Sequence, residues 1–135
     1  MSKVLSRDEF LGMADRVIEP VEIVVNGETR KFYVRSLSGA ERDEFEASNV
    51  IKNRGGEYDV KIKNLRARLV EMAVCNEDGS RFFKEGDAGQ IGRKNARTIS
   101  LLYDAAAKLS GITKEDLEEI AKNSTADQSD GSTSA

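Results

Sequence analysis

The chain has 135 residues, 39% of them apolar and 33% charged, with a net charge of −3 and a pI near 5.2. That length suits one small domain, and the acidic balance supplies no overall positive field to draw in nucleic acid. With no histidine and one cysteine, zinc sites built on His and Cys, Ser-His-Asp and Cys-His nucleophilic arrangements, and an intrachain disulfide are all excluded.

Ser6 and Glu9 have the spacing of a capping box, ahead of a short helix carrying Phe10, Leu11, Met13, Ala14 and Val17. Pro20, the only proline, is expected to mark its end, because the residue before a proline avoids helical geometry. Residues Met1–Phe10 lack the apolar core of a secretory signal. Val21–Val25 then alternates, Asn26-Gly27 is a type I′ turn signal, and Arg30–Arg35 alternates again, which predicts a β-hairpin. A two-residue turn pairs Val25 with Glu28, Ile23 with Arg30 and Val21 with Phe32. Val21, Ile23, Val25, Phe32 and Val34 then share one face, and Glu22 opposes Lys31 on the other. Such a hairpin is marginal alone and needs helices over its apolar face.

Ser38 and Glu41 form a second capping box, with Leu37 placed to staple the first turn, and predict a helix from about Gly39 to Ile51. Asn53-Arg54-Gly55-Gly56 breaks it. A further helix is predicted from roughly Asp59 to Val74, with Ile62, Leu65, Leu69, Met72 and Ala73 on one side, extended by Val70 and Val74. Cys75 follows Met72, Ala73 and Val74 and reads as a buried, inert thiol, compatible with a reducing compartment. Glu77-Asp78-Gly79-Ser80 is a turn, Arg81-Phe82-Phe83 a candidate brief third strand, and Lys84–Gly92 a loop or poorly formed helical turn. The longest helix is predicted from about Arg93 to Leu109, closed by Gly111 as its C′ residue. Thr113 can cap a last short helix carrying Leu117, Ile120 and Ala121. The segment from Asn123 onward has no residue larger than Ala to join a core and reads as disordered. The expected organisation is therefore one α+β domain over residues 1–122, with residues 1–19 as an N-terminal helical arm, and a polar tail over 123–135. Its hairpin, with a possible short third strand, packs on a small helical bundle. No apolar run approaches the roughly 20 residues a bilayer crossing needs, so a soluble intracellular protein is expected.

Positive chemical signals are few. There is no Walker-type glycine loop, and Gly86-Asp87-Ala88-Gly89-Gln90-Ile91-Gly92 does not have the spacing of a dinucleotide fingerprint. Asp43, Glu44, Glu46, Asp78, Glu115, Asp116, Glu118 and Glu119 fall at expected helix N-termini, turns and solvated faces. A carboxylate-dependent hydrolase would use a pair such as Asp43 and Glu46. Lys52, Arg54, Lys61, Lys63, Arg66 and Arg68 could contact phosphates. They spread around the predicted helix without an aromatic platform, so a solvated face or a patch for an acidic partner fits better. The strongest interaction signal is the last long helix. Leu101, Ala105, Leu109, Leu102, Ala106, Ile99 and Tyr103 span an arc of roughly 200°, wider than a helix lying on one core requires. Either the helix is central with neighbours on two sides, or one flank centred on Leu101, Ala105 and Leu109, with Ile99 and Leu102, forms a client or self-association surface.

From Val21 to Asn123 the order of elements resembles the tail assembly chaperone family of long-tailed phages. The landmarks are V-N-G-E-T-R-K-F-Y-V-R, S-L-S-G-A-E-R-D-E-F, R-A-R-L-V-E-M-A-V, E-D-G-S-R-F-F, S-L-L-Y-D-A-A-A-K-L-S-G and D-L-E-E-I-A-K-N-S. Their order and spacing carry the likeness. It implies a non-enzymatic protein without cofactor or metal, located in the host cytoplasm and absent from the mature virion. Such a protein coats the long, apolar, helical tape measure protein, keeps it soluble and helps tail tube protein polymerise around it. In many members a ribosomal slip adds a domain that recruits tube protein, and Ala121-Lys122-Asn123 can be encoded by a slippery run. A homo-oligomer is compatible with the family; membrane and nucleic-acid partners are not expected. The competing expectation is a structural morphogenesis component such as a tail terminator or head–tail connector subunit.

Overall fold

The computed structural model describes residues 2–113; the helix expected after Thr113 and the polar tail lie outside them. In chain order the elements are α1 (Arg7–Leu11), β1 (Ile18–Val25), β2 (Glu28–Arg35), α2 (Gly39–Ser48), β3 (Val50–Lys52), β4 (Tyr58–Val60), α3 (Leu65–Ala73), β5 (Val74–Cys75), α4 (Ala88–Ile91) and α5 (Ala96–Leu109). The architecture is α+β. One antiparallel sheet has the order β1-β2-β5, and β3 and β4 form a separate two-stranded ribbon.

The first hairpin has the register that its turn dictates. Val25 pairs with Glu28, Ile23 with Arg30, Val21 with Phe32 and Glu22 with Lys31. Asn26 and Gly27 take φ of 52° and 79°, the two left-handed residues a type I′ turn demands. Ile23 and Val34 are buried, and Val21, Val25 and Phe32 pack partly against them. Pro20 does not end a helix. It lies inside β1, opposite Tyr33, and the N-terminal helix has already closed at Gly12. In a two-residue hairpin the closing pair is hydrogen-bonded and the next is not, so the parity along β1 turns Pro20 toward the open edge. The Ser36 N–H bond to the Val17 carbonyl (2.8 Å) has the same parity. The missing N–H of Pro20 therefore costs no ladder bond.

Helix α2 begins at the predicted capping box. Ser38 Oγ accepts from the Glu41 N–H (3.1 Å) and Glu41 Oε1 accepts from the Ser38 N–H (3.0 Å). It stops at Ser48, and the expected continuation through Ile51 is replaced by β3. The helix expected from Asp59 likewise begins only at Leu65, because residues 50–60 form a second hairpin, with Val50 opposite Val60 and Lys52 opposite Tyr58. The glycines close this hairpin instead of merely interrupting a helix. Asn53 Oδ1 accepts from the Gly55 and Glu57 N–H groups (3.0 and 3.1 Å), and Gly56 has φ of 81°. Upstream helix is also blocked at Asn64, which is left-handed at φ 61°. The Arg68 guanidinium then collects the Lys61 and Lys63 carbonyls and Asn49 Oδ1, holding the connector in extended form. Ile62, assigned to the apolar stripe, is 69% exposed.

Leu69, Val70, Ala73 and Val74 fill the centre with Phe45, Leu102 and Ala106. The third strand is Val74–Cys75, which pairs with Tyr33 and Val34 of β2. The expected Arg81–Phe83 strand amounts to a single bridge between Arg81 and Cys75. Cys75 is buried, and burial pushes its thiol pKa up. Helix α5 starts at Ala96, with the Asn95 side chain accepting from the Arg97 N–H. It closes with a Schellman motif: the Ile112 N–H donates to the Ala107 carbonyl (2.8 Å) and the Gly111 N–H to that of Lys108 (3.3 Å). Gly111 has the φ of +70° that this cap requires. Ser110 Oγ accepts from the Leu37 N–H (2.9 Å), tying this end to the start of α2.

Glu41 also serves a second purpose. Its carboxylate bridges Arg16 (2.7 Å) and Arg35 (2.7 Å). Burial alone raises its pKa, but the Ser38 N–H bond and the two guanidinium charges outweigh it and hold the group below its ordinary 4.5. A lowered folded-state pKa gives stability that is complete above the unfolded value and lost as pH falls through the folded one. Ser38→Ala should cost about 1 kcal/mol. Glu41→Ala should cost roughly 2–3 kcal/mol, because the largely buried Arg35 loses its counter-ion. Urea unfolding should also show wild-type stability falling more steeply than that of Glu41→Gln as the pH drops through the ordinary carboxylate value of 4.5 and below it.

Candidate binding groove

Among the described residues no group of three or more His, Cys, Asp and Glu side chains is placed to hold a metal. Among the same residues no helix is long and apolar enough to cross a membrane. The feature that invites a ligand is an apolar groove of about 780 Å³ between the first hairpin and α5. One wall is the tip half of the hairpin, with Val25 and Phe32. Val70 of α3 and Ile99 and Leu102 of α5 form the floor. The opposite wall is Phe82, Phe83 and Ile91.

The phenylalanines of that wall lie in a loop, and a buried acid secures it. Glu71, buried on α3, accepts from the Ala88 N–H (3.0 Å) and from Arg81 Nη2 (3.4 Å). One carboxylate thus fastens both ends of the segment carrying the phenylalanines. Within it, Phe82 and Phe83 stack edge to face with centroids 4.9 Å apart, and Phe82 is 52% exposed. Asp87 Oδ2 accepts from the Lys84 N–H (2.8 Å), closing the turn before α4. Gly92, at the end of α4, packs so closely on Asn64 that a Cβ there would lie 2.5 Å from Oδ1. At the groove rim Arg30 is paired with Glu28 (2.6 Å) and Lys94 lies near Asp87, while the Lys31 ammonium is turned away over the Tyr33 ring at 5.3 Å.

The five residues expected to form a surface are distributed differently from a single flank. Ile99 and Leu102 are buried, serving the core on one side and the groove floor on the other. Ala105 and Leu109 pack partly against the core. Leu101 is 40% exposed and does not line the groove. The wide apolar arc of α5 is thus used mostly inside the fold, and its N-terminal half opens on the groove. Val25, Phe32, Phe82, Phe83, Ile91 and Thr98 were not singled out as site residues. Their separate signals, a hairpin tip and a glycine-rich loop, say nothing of their meeting. The basic cluster does not form one patch: Arg68 is spent on backbone carbonyls, and Arg66 lies over the Tyr103 ring at 5.7 Å.

A second hollow of about 370 Å³ lies at the end of α5, beside Tyr103, Lys108 and Ile112. Tyr103 is buried, its hydroxyl has no hydrogen-bond partner among the described residues, and burial raises its pKa. No protein-family model, curated protein or solved structure matches the chain.

Thr98→Trp should fill the groove from α5 without removing any core side chain. An anionic apolar dye such as anilinonaphthalene sulfonate should fluoresce with the wild type and lose most of that signal with the variant, at unchanged circular dichroism. An unaltered dye signal would place the apolar site elsewhere.

Proposed function

We propose that this protein is a tail assembly chaperone of a long-tailed phage, acting by binding and without catalysis. The observation that carries this is the preformed apolar groove, a shape suited to one face of an amphipathic helix. The client is the tape measure protein. Its apolar helical segments lie against Phe32, Phe83, Ile99 and Leu102, and an acidic side chain along the helix meets Lys94. The chain's own charged exterior keeps the complex dispersed. The sequence landmarks from Val21 to Asn123 that resemble this family support the same reading. In this role the protein works in the host cytoplasm, assists tail tube protein in polymerising around the client, and leaves before the virion is complete.

Co-expression with fragments of the tape measure protein provides the test. Wild type should raise the soluble yield of the client and co-purify with it. Thr98→Trp, folded but blocked, should weaken binding by about tenfold or more, roughly 1.4 kcal/mol. Equal binding by both proteins, or by neither, would remove the groove from this role. Detection of the chain in purified virions by mass spectrometry would favour a tail terminator or connector subunit.

A further inference from the structure

Helix α5 has a second flank that the groove does not use. At about 100° per residue, Tyr103 and Ala107 are centred roughly 140° around the helix from Thr98 and Leu102, which line the groove. This second flank borders the hollow of about 370 Å³. Tyr103 is only 6% exposed, and its hydroxyl, shut away from solvent, has no hydrogen-bond partner among the described residues. A buried hydroxyl left in that state is costly, and it marks a place where a neighbouring group has still to be supplied.

The chain itself leads into this hollow. The Schellman motif at Gly111 turns the backbone sharply at the end of α5. Ile112 is then buried, and Thr113 is part of the hollow's lining. Only residues 110–113 separate α5 from the sequence that follows. A connection that short between two helices sets them side by side and antiparallel. The following sequence is suited to such a helix. Thr113 with Glu115 and Asp116 is a helix start signal, and Leu117, Ile120 and Ala121 have the spacing of one helix face among Lys, Glu and Asp. The lengths agree as well. Along a helix Leu117 and Ile120 lie about 6 Å and about 10 Å beyond Thr113, while Ala107 and Tyr103 lie about 3 Å and about 9 Å back from Leu109. Charge is not what selects the occupant, since the rim residues Asp104 and Lys108 have opposite signs. Continuity of the chain and the apolar spacing select it.

We infer that the hollow beside Tyr103 is the docking site of residues 114–122 of the same chain, packed as a helix antiparallel to α5 with Leu117 against Ala107 and Ile120 beside Tyr103. A helix this short is not stable alone in water, so its formation and its docking are one event. The wide apolar arc of α5 then has a use on both flanks, and the groove on the opposite side stays open. The inference does not depend on what the groove binds.

Two measurements on the full chain test this. In hydrogen exchange followed by mass spectrometry, wild-type amides over residues 117–121 should exchange about tenfold or more slowly than an unstructured chain. The variant L117D/I120D keeps Thr113, Glu115 and Asp116 but loses the docking face. It should return those amides to the unprotected rate while leaving α3 and the first hairpin protected. In the second measurement Cys75→Ala removes the native thiol, and A107C/L117C places two thiols where the helices should touch. Diamide should close that pair into a disulfide within one chain, far faster than the control pair A107C/S132C. Wild-type amides that exchange at the unstructured rate, or that stay protected in L117D/I120D, would overturn the inference. So would a disulfide that forms no faster than the control. Disulfide-linked dimers as the main product would also overturn it, because the occupant would then be the same segment of a second copy.

Discussion

A single carboxylate holds three parts of this fold together. Glu41 caps the start of α2 through the Ser38 N–H, pairs with Arg16 at the root of the N-terminal arm, and pairs with Arg35 at the end of β2. Arg35 carries the connection further, donating to the Gly79 carbonyl in the turn and reaching the Met72 carbonyl of α3 (3.4 Å). Arm, sheet, α2 and the turn after β5 thus meet at one charged cluster, where Arg35 Nε has no hydrogen-bond partner among the described residues. Ionic contacts of this kind add little on an exposed surface. Here both Arg35 and Glu41 are largely shielded, so removing one strands the other.

Glu71 follows the same logic in a different place. An acid buried on the apolar side of α3 is costly unless its oxygens are occupied, and here they hold the Phe82–Phe83 segment at both ends. The core ends at that segment without sealing. Closing the gap would require further apolar side chains between Phe32 and Phe83. The chain has threonine and charged residues at the rim instead, leaving Val25, Phe32 and Ile99 facing a hollow. Stability and binding draw on the same residues, since Ile99 and Leu102 are at once core and groove floor.

Where local chemistry decided the outcome, the sequence was legible. Asn26-Gly27, the two Ser…Glu capping boxes and the Gly111 C′ position all depend on residues within one turn of each other. Their hairpin register and helix starts follow directly. Failures came where two periodicities compete. Ile62, Leu65, Leu69 and Met72 are spaced as a helical stripe, but Asn53, Gly55 and Gly56 favour a tight reversal, and Arg68 rewards an extended connector across nineteen positions to Asn49. Pro20 was misread because its effect depends on which way an edge strand faces, a property of the sheet and not of the neighbouring residues. The groove was beyond local inference altogether. Its walls come from a hairpin tip, a glycine-rich loop and two helices, and only the breadth of apolar surface on α5 hinted that something lay against it.

The placement of Pro20 has a consequence for crowded conditions. β1 is the long outer strand of its sheet, and a strand of that kind can seed cross-β growth when many copies crowd together. An incoming strand would have to leave an acceptor unfilled at the third of the eight positions, opposite a rigid pyrrolidine ring. Fibrillar stacking is thus interrupted by a residue that takes nothing from the native ladder, and the chain can reach high local abundance without its sheet becoming a template.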